Sequence, residues 1–360
     1  RVRRSPTASL SLADSGRVYV AAAALPQTIA VLTREVERVE LHAPHLALTV
    51  TGVDRPGWAR AIGRDAYGLF GEIEVGGVRQ RFRWIAPGRF LMGSPADEPQ
   101  RDGDEARHEV TLSRGYWLAD TACTQALWQA VMGENPSGFK DDARNPVESV
   151  SWEKVQGFIG EFERRVPGLS ARLPSEAEWE HACRAGTTGP FSFGEELTPK
   201  RVNYDGNYPY AGGKKGQYRE KTVPVASLPA NAWGLYEMHG NVYEWCADWY
   251  GAYPGEPQVD PSGPPTGDSR VVRGGSWSSS GRDVRSARRD ADEPGGRYRR
   301  VGFRLALGPG EQGKAPAEPA TLRPRTAEPS SATPREVAGG AESATPSLLD
   351  RLSGFFKREK

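Results

Sequence analysis

The sequence contains few cysteines and no long apolar run. Its three cysteines, Cys123, Cys183 and Cys246, lie far apart and form neither a Cys-x-x-Cys pair nor a Cys/His ligand spacing. This pattern argues against a disulfide framework or a zinc site and indicates buried thiols in a reducing compartment, so we expect a cytoplasmic protein. No apolar segment approaches the roughly 20 residues that a helix needs to span a bilayer.

A strong net charge of either sign is also lacking. The 47 Lys and Arg residues nearly cancel the 46 Asp and Glu residues, which leaves a formal charge of +1. Such a chain is not drawn as a whole toward nucleic acid or an anionic membrane, so we do not expect a nucleic-acid partner. Hydrophobic residues make up 37% of the chain against 42 Gly and 29 Pro, and loops and turns must therefore be extensive.

Composition divides the chain into four segments. Residues 1–55 alternate short β-rich runs with Pro and Gly and predict a small β-rich segment. Residues 56–307 contain all ten tryptophans and predict the main domain, because large aromatic side chains supply most of the area of a core with little regular structure. Residues 308–346 are rich in Pro, Ala and Glu and predict a disordered linker. The sequence starts at Arg1 rather than at methionine, which leaves a removed signal or upstream domain open.

The last segment, residues 347–360, predicts an amphipathic tail. On a helix, five large apolar residues share one face, with basic residues around it: Leu348, Leu349, Leu352, Phe355 and Phe356. Such a face docks on a membrane surface or on a partner protein. The alternative is a poorly ordered, sticky tail, which Gly354 favours.

Local patterns predict the regular structure of the main domain. Two alternating runs meet at the Gly-Gly pair 76–77, which predicts a hairpin. Apolar residues at helical spacing predict helices over 123–133 and 151–166. A third helix is predicted over 175–186, where the S-x-x-E capping box marks the start and Gly186 the end.

Six motifs follow one another through the main domain. They are PGRFLMGS (87–94), NPVESVSW (145–152), RLPSEAEWEHACRAG (172–186), GLYEMHGNVYEW (234–245), RVVRGGSW (270–277) and GFRLAL (302–307). The series resembles the formylglycine-generating enzyme family, also called the sulfatase-modifying factor family, over about residues 56–307. The resemblance implies an α+β protein with an elaborated C-type lectin fold and little regular secondary structure.

The residues expected for catalysis in that family are missing. Its catalytic members bind copper through two cysteines shortly after the GGS motif, and thiolates suit Cu(I). The corresponding positions hold Ser279 and Val284, so the resemblance implies neither a copper site nor an enzyme. A second branch of the fold holds iron through histidines, but His42 and His45 fall on opposite faces of a β-like run. We interpret the remaining, isolated histidines as structural: His108, His181 and His239.

Residues 271–307 resemble more closely the variable region of diversity-generating retroelement variable proteins, a subset of this fold. In that subset, adenines of a template RNA are copied unfaithfully, so that AAC and AAT codons become NNC or NNT codons, which cannot encode Lys, Gln, Glu, Met or Trp. The segment contains nine arginines and no lysine, although a GC-rich genome would also favour arginine. The resemblance places the randomised positions at thirteen residues that such codons can specify: Ser278, Ser279, Ser280, Arg282, Asp283, Arg288, Asp290, Ala291, Asp292, Gly296, Tyr298, Arg299 and Arg300.

Apolar residues between these positions would anchor the segment in the core. The predicted buried anchors are Trp277, Val284, Ala287, Val301, Phe303 and Leu305, and the predicted unmutated framework positions are Gly281, Glu293, Pro294 and Gly295. Polar side chains between the anchors would project to solvent, where a substitution changes stability by only about ±0.5 kcal/mol. We expect Tyr298 and the arginines among the thirteen to dominate binding, because Tyr and Arg are frequent interface hot spots. The alternative is an ordinary charge-balanced surface loop.

In the enzymes that this sequence resembles, the region that corresponds to EMHGNVYEW (237–245) binds a structural calcium ion. Carried across, Glu237 and Glu244 would supply carboxylate oxygens and Gly240 and Val242 backbone carbonyls, a hard oxygen set suited to Ca²⁺. The alternative is that these acids cap backbone groups or pair with arginine. A second calcium site of the family lacks its aspartate here, where residues 215–217 stand instead.

These patterns favour a non-enzymatic protein that displays a hypervariable surface to a protein or other macromolecular ligand. One alternative is an oxygen-dependent oxidase of the formylglycine-generating type with an unrecognised metal site. Another is an inactive regulatory scaffold of the same family. The sequence does not specify the ligand or the oligomeric state.

Overall fold

The computed structural model describes residues 17–19, 38–43, 46–51 and 56–308, so the predicted tail and all but the first residue of the predicted linker lie outside the described residues. The strands are β1 (Arg17–Tyr19), β2 (Arg38–Ala43), β3 (Leu46–Thr51), β4 (Ala61–Asp65), β5 (Gly68–Val75), β6 (Val78–Ile85), β7 (Gly88–Met92), β8 (His108–Leu112), β9 (Tyr116–Ala119), β10 (Ala171–Arg172), β11 (Tyr243–Trp249), β12 (Gln258–Val259), β13 (Arg270–Arg273), β14 (Arg289–Asp292), β15 (Val301–Gly302) and β16 (Ala306–Leu307). The helices are α1 (Gln125–Met132), α2 (Trp152–Arg165) and α3 (Glu176–Arg184), and a short 3-10 turn covers Tyr210–Gly212. No helix in this described part is long and apolar enough to cross a membrane.

The three helices begin within two residues of their predicted starts. Thr124 and Ser151 cap α1 and α2 through side-chain oxygens that accept backbone N–H groups of the first turn. The reciprocal capping box of Ser175 and Glu178 opens α3. At the end of α3 two residues have positive φ, Ala185 at 46° as the cap and the predicted Gly186 at 89° after it, so the helix ends at Arg184.

The strands form four small sheets of mixed order. The largest has six strands in the order β10-β16-β9-β6-β5-β4, and its β5–β6 hairpin turns at the predicted Gly-Gly pair. Two three-stranded sheets have the orders β1-β2-β3 and β12-β8-β7. The α+β class is confirmed, and regular structure is sparse as expected.

The fourth sheet positions the predicted variable segment. Its order is β14-β13-β11-β15, with β14 at an edge. The chain leaves the sheet after β13, returns antiparallel to it as β14, and enters again as β15, parallel to β11. Two irregular loops, 274–288 and 293–300, are therefore held at both ends by strand pairing.

Five of the six predicted anchors are buried and one is not. Val284, Ala287, Val301, Phe303 and Leu305 are at most 1% exposed. Trp277 is only half-buried and lies in a surface aromatic group with Phe139 and Tyr218. The prediction that Trp277 is a core anchor is wrong, because its indole N–H donates to the Arg299 carbonyl at the surface, 3.1 Å away.

Phe303 lies edge-on to Trp128 and Phe158, with ring centroids 6.0 and 5.4 Å apart. We expect Phe303→Ala to lower the free energy of unfolding by about 3–5 kcal/mol, because it leaves a cavity that the sheet cannot close. Chemical denaturation of both variants measures this, with Trp277→Ala as the half-buried comparison and the smaller expected loss. A larger loss for Trp277→Ala would contradict this assignment of the core.

Candidate binding site

The thirteen predicted variable residues lie on one stretch of backbone between β13 and β15, but they differ in exposure. Ser278 and Arg299 are exposed, and Ser279 is buried. The others are half-buried: Ser280, Arg282, Asp283, Arg288, Asp290, Ala291, Asp292, Gly296, Tyr298 and Arg300. The expectation that all polar residues between the anchors project freely to solvent is therefore too simple.

Ser279 is buried because it closes a tight turn. Its hydroxyl accepts the Ser276 backbone N–H at 3.0 Å, and its own N–H donates to the Ser276 carbonyl at 3.1 Å. Its carbonyl accepts the Asp205 N–H at 2.9 Å. Replacement of Ser279 therefore changes the loop itself as well as its surface.

Three of the predicted variable residues form one ion-pair cluster with Asp102. Arg282 and Arg288 both bind the Asp102 carboxylate. Asp283 lies 3.5 Å from Nε of Arg288 and accepts the Ser280 hydroxyl at 2.7 Å. Burial alone would raise the pKa of Asp102, but the hydrogen bond from Arg282 and the charge of Arg288 outweigh it and lower that pKa. These positions are coupled to one another and to the framework, in contrast to the independence that the sequence suggested.

Four of the nine arginines in residues 271–307 belong to the core. Arg285 binds Glu98 and Glu105 at 2.6–2.7 Å. The other three bind carboxylates of neighbouring elements: Arg273 with Glu180, Arg289 with Glu176, and Arg304 with Glu244. All four arginines are at most 2% exposed. Much of the arginine content that looks like a solvated face is thus structural.

Sequence reasoning missed these arginines, although the sequence contains one signal for them. Residues 98–105 carry Glu98, Asp102, Asp104 and Glu105 with only Arg101 as a basic neighbour. Such an acidic run needs cationic partners from elsewhere in the chain. Alternation of polar and apolar residues does not reveal the pairing, because the partners are about 180 positions apart.

Tyr243 is a further residue at this face that the sequence analysis did not single out. It is 5% exposed, at the start of β11, and interacts with the Ser279 side chain. Burial, followed by the charge of Asp290, raises its pKa well above the ordinary value. A protonated hydroxyl beneath Ser279 and Asp290 makes the floor of the variable segment polar.

Tyr298, Arg299 and Arg300 form an aromatic and arginine group on this face, in which Arg299 is exposed and the other two are half-buried. The Arg300 guanidinium lies over the Tyr298 ring, 4.9 Å from its centroid, and 3.4 Å from Asp292. The guanidinium of Arg299 lies 4.4 Å from the centroid of the Phe139 ring. Planar groups held in this way lose little freedom on binding, which suits them to contact a ligand.

Gly281 is one predicted framework position that the geometry explains. A β-carbon at this position would lie 2.4 Å from the Tyr210 backbone nitrogen. Any side chain would push apart the variable segment and the turn at residues 210–212. Glycine is therefore required here by close backbone approach.

The donor set does not fit copper. Ser279 and Val284 stand at the two positions of the expected cysteines, and Val284 is fully buried. The three cysteines are buried at other places, and burial raises the pKa of each thiol, for Cys183 to about 12. Thiols in this state do not offer the thiolates that Cu(I) prefers.

All three histidines that we interpret as structural, His108, His181 and His239, are buried. The Nδ1 atom of His239 lies 2.8 Å from the Val284 carbonyl, and Nε2 accepts the Ser192 N–H at 3.2 Å. Burial lowers the pKa of His239 to about 4, and it does the same for His181. Both rings are therefore neutral at pH 7. His239 has no free ring nitrogen for a metal.

The predicted calcium ligands bind protein donors in this structure. Both Glu244 oxygens bind Arg304, at 2.6 and 2.8 Å, and the Trp179 indole N–H donates to one of them. Glu237 accepts the backbone N–H groups of Ala226 and Leu228. Capping of backbone groups and pairing with arginine are the alternative roles that the sequence suggested for these two acids. Because the Arg304 charge already neutralises Glu244, the set with Gly240 and Val242 does not fit a calcium ion in this arrangement.

The geometry agrees with the relationships of the chain to known proteins. The family model of the sulfatase-modifying factor enzyme 1-like domain matches residues 77–308. The chain belongs to this family. Its fold is the elaborated C-type lectin fold of formylglycine-generating enzymes, as the motifs predicted.

Members of this family differ in activity. A formylglycine-generating enzyme of Thermomonospora curvata is 36% identical over 220 residues, which cover 58% of this chain and 69% of the relative. An inactive C-alpha-formylglycine-generating enzyme 2 of Bos taurus is 30% identical over 214 residues, 58% of this chain and 64% of the relative. Membership alone therefore does not assign an activity.

Two further relatives have other descriptions. The solved structure of Treponema denticola variable protein 1 is similar with a TM-score of 0.58 and 28% identity, over 67% of this chain and 99% of that one. Serine/threonine-protein kinase pkn1 of Chlamydia caviae is 38% identical over 171 residues, 46% of this chain. The chain spans only 24% of the length of that kinase.

The ion pairs of Arg285 with Glu98 and Glu105 provide a test of whether buried arginines hold the variable segment in place. We expect Arg285→Gln to destabilise the fold by about 3–5 kcal/mol, because it leaves Glu98 and Glu105 buried without their cation. The matched control is Arg297→Gln in the same segment, where the arginine is exposed and the change should stay within about 0.5 kcal/mol. Thermal and denaturant unfolding of the two variants measure the difference, and equal stability would show that the buried pair does not hold the segment.

Proposed function

We propose that the chain is a non-enzymatic binding protein whose variable segment forms the contact face for a protein or other macromolecular ligand. The observation that carries the proposal is that residues 271–307 contain two kinds of side chain, buried ones that hold the backbone and more accessible ones between them. Buried arginines and apolar anchors fix the backbone, and twelve of the thirteen predicted variable residues, all but Ser279, are half-buried or exposed. The similarity to the Treponema variable protein supports this proposal.

The face offers a rigid aromatic and arginine group beside an adaptable polar region. Tyr298, Arg299 and Arg300 supply large planar contacts, whereas Ser278 and Ser280 supply hydrogen-bonding groups with small side chains. This combination resembles antibody loops in its physical chemistry. The acidic residues among the thirteen oppose contact with a phosphate backbone, so nucleic acid is not the proposed ligand.

The predicted variable positions would not all tolerate substitution equally well. Ser278 and Arg299 can change with little effect on the fold. Arg282, Asp283 and Arg288 share the Asp102 cluster, so a change of one alters the pairing of the others. The proposal therefore includes covariation among these three positions.

A second candidate function is a regulatory domain of a larger signalling protein. The specific observation is the match of this domain to part of a serine/threonine kinase. The two functions are compatible, since a ligand-binding domain can control an attached effector. Cytoplasmic location and docking through residues 347–360 also stay proposals.

Sequencing of the genomic locus that encodes the chain tests both candidates. We expect a reverse-transcriptase gene and a near-copy of the coding segment for residues 271–307 that differs mainly at adenines. A kinase-coding region in frame, without such a copy, would instead support the regulatory function. Copper-dependent oxygen consumption by the purified chain with a cysteine peptide would overturn the non-enzymatic proposal.

A further inference from the structure

A cavity lies beside the start of α3 and the buried side of β14. It has a volume of about 460 Å³ and is bounded by the start of α3, the end of β11 and the loop 249–264. This volume is in the range of small-molecule sites. None of the thirteen predicted variable residues lines it, although the buried Arg289 does. Exposed residues such as Val259 of β12 and Ser262 form its rim, so the cavity reaches the surface.

Asp248 is a buried acid in the wall of this cavity without a cation partner. It is 4% exposed, and one carboxylate oxygen accepts the Glu176 backbone N–H at 2.8 Å. Within residues 56–308, no arginine, lysine or histidine forms an ion pair with Asp248. Burial, and then the charge of Glu176, raises the pKa of Asp248 well above its ordinary value. Its donors, the backbone N–H groups of Glu176 and of Asp248 itself, carry no charge.

Glu176, the neighbouring acid in the same wall, is fully paired. Arg289 binds both of its oxygens, at 2.7 and 2.9 Å, and the Tyr253 hydroxyl donates at 2.9 Å. Arg273 lies 3.7 Å away. Glu176 therefore offers no unpaired oxygen to a ligand, and the acid in this wall without a cation partner among residues 56–308 is Asp248, whose ionised form an ammonium group would stabilise.

His108 adds a second acceptor to the cavity wall. Its Nδ1 atom lies 2.9 Å from the Ala106 carbonyl, which places the proton on Nδ1. Nε2 is then a lone-pair acceptor, and no residue in the described range 56–308 donates to it. The ring lies 4.8 Å from the Tyr253 ring, which holds its orientation.

We propose that this cavity binds a small organic molecule through a primary ammonium group paired with Asp248. An ammonium carries one positive charge and three N–H donors, which matches one unpaired carboxylate and nearby acceptors. Asp248 would repel an anion. Arg289 would not offset this repulsion, because it already binds both oxygens of Glu176. A metal ion would find too few free ligands, because both Glu176 oxygens are occupied.

Calorimetric titration of the full chain with butylamine and 1,5-diaminopentane tests the proposal, with butan-1-ol as the neutral partner of butylamine. We expect saturable binding of the amines and at least tenfold weaker binding of the alcohol. This comparison uses the unchanged protein, so it needs no variant to fold. Equal binding of alcohol and amine would overturn the proposal and indicate a merely apolar cavity.

Substitution of Asp248 then locates the site. We expect Asp248→Asn to weaken amine binding at least tenfold while the melting temperature stays the same or rises, because the amide oxygen still accepts the Glu176 N–H. The matched control is Asp268→Asn, an exposed acid outside the cavity, which should leave the affinity unchanged. Unchanged affinity in a folded Asp248→Asn variant, or equal losses in both variants, would overturn the assignment.

Discussion

Buried arginine–carboxylate pairs are the constraint on which the rest of this structure depends. Arg285 reaches Glu98 and Glu105, and Arg289 reaches Glu176, in each case from the segment between β13 and β15. A charge buried without its partner costs several kcal/mol, so these pairs favour the arrangement of the chain in which each arginine reaches its carboxylates. They fix the irregular loops 274–288 and 293–300, which lie on either side of the paired strand β14.

This constraint explains how a polar segment and a core coexist within a few residues. In β14, Arg289 points inward to α3, while Asp290 lies on the side of Tyr243 and the variable positions. Side chains on the outer side can then change without loss of the inner pairs. The same alternation separates the two sites, since the Asp248 cavity lies on the inner side and the binding face on the outer side.

The sequence predicts those parts of the fold that depend on local chemistry. The helix starts at Ser151 and Ser175 and the Gly-Gly hairpin follow from short-range rules, and all are found. Burial of Trp277 was a wrong prediction, because an aromatic residue also suits a surface group of aromatic rings. The expectation that Arg288 and Asp283 project freely to solvent was wrong for a different reason. Their partner Asp102 lies in a distant loop, and no periodicity connects the two segments.

Amide hydrogen exchange of residues 276–301 tests the central claim most directly. The account predicts that replacement of Ser278 and Arg299 by other polar residues leaves protection of this segment unchanged. It also predicts that Glu105→Gln, which weakens the Arg285 pair, lowers protection throughout the segment. Loss of protection in the surface variant, with full protection in Glu105→Gln, would contradict the claim that buried pairs hold the binding face.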